Sequence, residues 1–150
     1  MKVMYGVVIV GTLIAAGSAF AASALSPQQI VDDRVAGMKS LIDSLKGAGA
    51  ATDAAVVKVH LAKAIAFAQS IPAKFPKGTG IGDAGVTKTR AKQDIWTKPG
   101  DFKKTVDGFV AALQGANAAA GDAPKFQAAM GGVKKSCGGC HDAFRGPETE

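Results

Sequence analysis

Near its C-terminal end the chain reads Cys137-Gly138-Gly139-Cys140-His141, followed by Asp142-Ala143-Phe144-Arg145. On a helix, cysteines at i and i+3 share a face with a histidine at i+4, so two thiols and one imidazole converge on a single object. This spacing is the attachment pattern of c-type haem: the sulfurs add to the porphyrin vinyl groups as thioethers, and the adjacent histidine becomes an axial ligand of the iron. Two cysteines permit one such attachment, so one covalent haem c is expected on Cys137 and Cys140, with His141 on the metal. Three plainer uses compete. A closed zinc site would have to recruit the remote His60, because the chain has only two cysteines and two histidines. A thioredoxin-type redox pair belongs in a strand-helix-strand unit, and no strand pattern is visible. A simple disulfide leaves His141 without a purpose.

The elements that must carry this motif read as helices. The first follows Ser26-Pro27, a cap residue with proline at the first helical position, and its apolar residues are Val31, Val35, Met38, Ile42 and Leu45. The second follows Thr52-Asp53, with Val57, Leu61, Ala64, Ala68 and Ile71, and is stopped by Pro72 and Pro76. The third follows Pro99-Gly100-Asp101, with Phe102, Val106, Phe109, Leu113, Ala116 and Ala120. The fourth follows Asp122-Ala123-Pro124, with Phe126, Met130, Val133, Cys137, Cys140 and Phe144. Steps of three and four residues define an apolar stripe that packs against neighbouring helices at a shallow angle. Because the cysteines occupy the stripe, the haem is expected on the inward face. Short connections between helices one and two and between three and four make antiparallel neighbours, while Pro72 to Lys98 forms a long crossover. The expected fold is all-α: an antiparallel four-helix bundle with haem attached near the C-terminal end of the fourth helix.

Residues 1–21 read as a signal peptide. Lys2 precedes an apolar run from Val3 to Ala16, which closes on Ala19-Phe20-Ala21, and cleavage is expected after Ala21. A membrane anchor is the competing use, but Gly6, Gly11 and Gly17 interrupt the run. Residues 22–150 then form a single domain. Export to the periplasm agrees with haem attachment, which takes place outside the bacterial cytoplasm. The formal charge of the whole chain is +6, and the processed protein stays basic after loss of Lys2 and gain of two propionates. Its lysines are dispersed and lack interleaved aromatics, which argues against nucleic acid and is compatible with an acidic redox partner.

In their order and spacing, three segments resemble the class II c-type cytochromes, meaning cytochrome c prime and its low-spin relatives. They are Arg34-Val35-Ala36-Gly37-Met38-Lys39, Thr89-Arg90-Ala91-Lys92-Gln93-Asp94-Ile95-Trp96, and Cys137 to Arg145. Cytochrome c prime is one of the recognised four-helix-bundle haem proteins. The resemblance assigns Cys137 and Cys140 to the thioethers and His141 to the proximal ligand. It places Arg145 beside the proximal imidazole or a propionate, where the plain alternative is a cation in the last turn of a helix. It places Arg34 near a propionate, against an exposed arginine beside Asp32 and Asp33. It also implies homodimers formed through the first two helices.

Met38 separates two functions. If its sulfur binds iron, the haem is six-coordinate and low-spin and the protein is an electron carrier; if it only packs, a five-coordinate site admits nitric oxide or carbon monoxide. Ligation is the reading adopted, since Met38-Lys39-Ser40-Leu41 looks like the low-spin branch, with the gas-binding protein as the alternative. The sequence offers no acid-base pair for an enzyme. His60 reads as a hydrogen-bonded histidine at the core edge, Trp96 as packing that pins the crossover to the bundle, and Gly78 to Gly85 as a mobile stretch.

Overall fold

A computed structural model describes residues 25–147, so the signal peptide expected at 1–21 lies outside the described residues. Helices α1 (Pro27–Ala50), α2 (Ala54–Ser70), α4 (Pro99–Ala118) and α5 (Ala123–Phe144) form a four-helix bundle, and α3 (Asp94–Thr97) is a single turn in the crossover. Helix starts follow local chemistry. Ser26 and Gln29 form a capping box at α1: the Ser26 hydroxyl accepts from the Gln29 amide, and the Gln29 side chain accepts from the Ser26 amide at 2.8 Å. The Asp53 carboxylate accepts from the amides of Ala55 and Val56, and Asp122 accepts from that of Lys125 at 3.1 Å. Helix α2 ends at Ser70 because Pro72 has no N–H to continue it, and the chain tightens into a 3₁₀ turn over Ile71–Lys74.

The core stripes of α2, α4 and α5 are those their spacing predicts. Leu61, Leu113 and Val133 are fully buried, and Met130, Cys137 and Cys140 pack part-buried against the same cluster. Helix α1 departs from expectation. Its inward residues are Val31, Arg34, Leu41 and Ala48, with Met38 and Leu45 packed against the cluster, whereas Val35 and Ile42 are 45% and 51% exposed. The stripe is therefore turned by one position at two steps, because a charged residue, Arg34, takes an inward place.

Packing runs from α1 to α2, from α2 to α4 and from α4 to α5. The fourth side of the bundle, between α1 and α5, holds a cavity. The crossover bridges that side, and it is pinned rather than free. Thr79 and Gly80 are buried, the Gly80 amide donates to Asp83 at 2.7 Å, and the Ile81 amide donates to the Ala91 carbonyl at 2.9 Å. Gly78, Gly82 and Gly85 have φ of +83°, +86° and +76°, so the glycines serve tight turns and not the mobility expected of them. Trp96 pins this loop as its size suggests: its indole N–H donates to the Phe75 carbonyl at 2.9 Å, and its ring covers Gly80, where any Cβ would collide. Trp96→Ala is expected to destabilise the folded protein by about 3 kcal/mol, the low end of the range for truncating a tryptophan because the ring is only part-buried. Denaturant unfolding measures this, and a change near zero would refute the pinning role.

Candidate functional site

The cavity between α1 and α5 has a volume of about 500 Å³, within the usual range for cofactor sites. Residues from distant parts of the chain line it: Arg34 and Met38 from α1, Cys140 and His141 from α5, and Arg145 just beyond. Cys137 lies one helical turn before His141, half-buried against the apolar cluster, and is not among the lining residues. Val35 and Ile42, anomalous as exposed apolar side chains, form part of the cavity wall. No disulfide joins Cys137 and Cys140, and burial raises the pKa of either side chain as a thiol. His60 lies elsewhere, its ring over Gly47, and among the described residues no group of three or more His, Cys, Asp or Glu is placed to hold a metal. The closed zinc alternative thereby loses its fourth ligand.

Arg34 is the least ordinary member of the site. It is 4% exposed, and its guanidinium donates to the Thr79 hydroxyl at 2.8 Å, the Thr79 carbonyl at 2.7 Å and the Thr89 hydroxyl at 2.8 Å. The same cation stands 4.4 Å from the centre of the Phe75 ring. Burial lowers its pKa to about 10, so it remains charged at neutral pH. Among the described residues no carboxylate forms an ion pair with it. A buried cation with only neutral partners is incompletely compensated, and an anionic group in the cavity would complete it. The exposed arginine beside Asp32 and Asp33 is thus not what the fold contains.

His141 occupies the last turn of α5, and its carbonyl accepts the capping N–H of Arg145 at 3.0 Å. Its pKa is lowered, first by partial burial and then by the charges of Arg145 and Arg90. Neutral imidazole, the form that ligates metals, is favoured. Arg145 lies just past α5, where its backbone N–H caps the helix, and it lines the same cavity as His141.

The floor of the cavity is aromatic. Phe75 and Phe102 meet edge to face with centroids 5.3 Å apart, and Phe102 meets Phe144 in the same manner at 5.2 Å. Sequence reasoning singled out neither Phe75 nor the Thr79 and Thr89 partners of Arg34; the signal available was a lone phenylalanine between Pro72 and Pro76. Two thiols on one helix face, a neutral imidazole, an apolar cavity and a cation short of a carboxylate fit a porphyrin bearing two acidic side chains.

Comparison with known proteins agrees with this chemistry. A family model described as Cytochrome C' matches residues 28–145. Cytochrome c' of Pararhodospirillum photometricum is 33% identical over 129 residues, covering 80% of this chain and 98% of the relative. A solved cytochrome c' with an unusual ligand-controlled dimer dissociation superposes with a TM-score of 0.71 at 26% identity, covering 83% of this chain and 100% of the other. The nitric oxide complex of a single-residue variant of cytochrome c prime from Alcaligenes xylosoxidans gives a TM-score of 0.67 at 30% identity, covering 81% and 98%.

Arg34→Met removes charged hydrogen bonds that hold Thr79 and Thr89, so the haem-loaded protein should lose about 2–4 kcal/mol of stability. Guanidinium unfolding followed by helical circular dichroism tests this, and an unchanged midpoint would remove Arg34 from its structural role.

Proposed function

Because the chain belongs to the cytochrome c' family and so carries one covalent haem c, we propose that it is an exported haem protein that binds a small neutral gas, nitric oxide or carbon monoxide. Cys137 and Cys140 would hold the haem as thioethers, His141 would ligate its iron, and Arg34 and Arg145 would serve its acidic side chains or the imidazole. Haem iron supplies an open coordination position and a one-electron couple. The observation that carries the reading is the character of the wall facing the iron. Val31, Val35, Met38 and Ile42, all from α1, are apolar, the buried guanidinium of Arg34 is committed to Thr79 and Thr89, and the lysines that also line the cavity, Lys39 and Lys88, are exposed. Such a wall gives little hydrogen bonding to a polar or anionic ligand and accommodates a neutral diatomic. The nitric oxide complex of the Alcaligenes relative supports the same conclusion.

This reverses the order of the two readings drawn from the sequence, where ligation by Met38 and electron transfer stood first. The electron carrier is kept as the second reading on one observation: Met38 does line the cavity. As a carrier the protein would meet a redox partner at the cavity mouth, where exposed Lys39, Lys88 and Arg145 outnumber Asp32 and favour an acidic surface. Export of the processed chain to the periplasm belongs to either reading.

Pairing of two copies is supported by the dimer of the structural relative and by Val56 and Val59 on α2, which are 45% and 56% exposed. Sedimentation of the haem-loaded protein should give a dimer, and Val59→Glu a monomer with unaltered absorption. A wild-type monomer at micromolar concentration would end the pairing proposal.

The absorption spectrum decides between gas binding and electron transfer. The ferric protein is expected to be high-spin with a broadened Soret band, and the ferrous protein to take up carbon monoxide readily, with Met38→Ala changing the rate by less than about tenfold. A low-spin spectrum with a weak far-red charge-transfer band, and carbon monoxide binding that becomes fast only in Met38→Ala, would establish the electron carrier instead.

A further inference from the structure

Helix α5 is poorly built to hold an imidazole still. Gly138 and Gly139 lie in the turn that leads to His141, and a side chain at either position would meet nothing within 4 Å, so no neighbour packs over that stretch. Glycines lower helix propensity one turn before the end, and the last carbonyls of any helix lack partners within it, so the end of α5 depends on groups outside the helix besides the buried Phe144 ring.

The crossover supplies that hold. The Arg90 side-chain Nε donates to the Gly146 carbonyl at 2.8 Å, and the Gly146 amide donates back to the Arg90 carbonyl at 2.7 Å. The Lys92 amide donates to the Phe144 carbonyl at 3.0 Å, and Ala91 pairs with Arg145 in an isolated antiparallel bridge. The other end of this segment is fixed as well, because Thr89, adjacent to Arg90, accepts from the buried Arg34. Arg90 also lines the cavity that His141 lines.

We propose that Arg90 is a positioning residue for His141: with Gly146 it forms a clasp that locks the end of α5 to the anchored crossover and so sets the orientation of the imidazole. The clasp deepens the proposed function and rests on its reading of His141 as the iron ligand. Its effect arises from the geometry of the guanidinium, whose Nε donates to the Gly146 carbonyl; lysine keeps the charge but has no donor in that place.

Two variants test this in the haem-loaded protein, and both leave the net charge unchanged. Arg90→Lys removes the side-chain bond, and Gly146→Pro removes the returning amide donor. In each, hydrogen exchange of the amides at 142–145 should accelerate about five- to tenfold, the equivalent of one hydrogen bond, while exchange in α2 and α4 stays unchanged. In each, the Soret circular dichroism and the midpoint potential should also shift, although no charge has been lost. Unchanged exchange at 142–145, acceleration spread evenly over all helices, or an Arg90→Lys protein with wild-type spectrum and potential would each overturn the clasp. A His141→Gly variant with an unaltered Soret spectrum would instead remove the ligand assignment, and the exchange measurement would still decide whether the clasp exists.

Discussion

A guanidinium withdrawn from water must find partners in several directions at once, and in this protein that demand falls on Arg34. Its hydrogen bonds reach Thr79 and Thr89, ten residues apart in a loop that has little apolar bulk of its own. The loop cannot satisfy both without folding back across the α1 side of the bundle, so one charge defines the course of the crossover. Nearby polar contacts add to it: the side chain of Gln28, in the first turn of α1, accepts from the amides of Thr87 and Lys88 at 2.8 and 3.1 Å. With the loop placed, Trp96 covers Gly80 and residues 90–92 meet the end of α5. The cost of burying a cation without a carboxylate is tolerable where a bound acidic group completes the charge balance.

The same arrangement explains why the cavity can be apolar and still specific. Its floor of Phe75, Phe102 and Phe144 links the crossover to α4 and α5 through edge-to-face contacts, and the cation of Arg34 caps this row at Phe75. Val31, Val35, Met38 and Ile42 add aliphatic lining, and the buried cation of Arg34 is the polar group among them that an acidic side chain of a cofactor would complete.

Much of this was legible in the sequence because it depends on local chemistry. Ser26, Asp53 and Asp122 announced their helices through caps that reach only two or three residues along the chain. The stripes of α2, α4 and α5 were readable because every inward position carries an apolar side chain, and the cysteines simply continue the series. Helix α1 resisted the same treatment. A pattern of hydrophobicity assigns arginine to the surface, and only Thr79, Thr89 and Phe75, more than forty residues distant, give it an inward place. Val35 and Ile42 were counted as core for the complementary reason: they are apolar on account of the cavity and not of another helix. The glycine-rich loop misled in its own way, since glycine signals freedom of the chain and equally the left-handed turns that a fixed loop requires.

The side of the bundle between α1 and α5 is closed by a loop and a cavity instead of by interlocking helices, and this bears on the order in which the protein can be assembled. The α1–α2 and α4–α5 hairpins join neighbours across connections of only a few residues, and such pairings form early because little chain entropy is lost in making them. The ties that complete the last side, Arg34 to Thr79 and Thr89 and Arg90 to Gly146, span 45 to 56 residues and come at a greater entropic cost. A chain with both hairpins formed and that side unlatched would present Cys137, Cys140 and His141 at an open seam. Closure of the crossover over that seam would then be the last step of assembly.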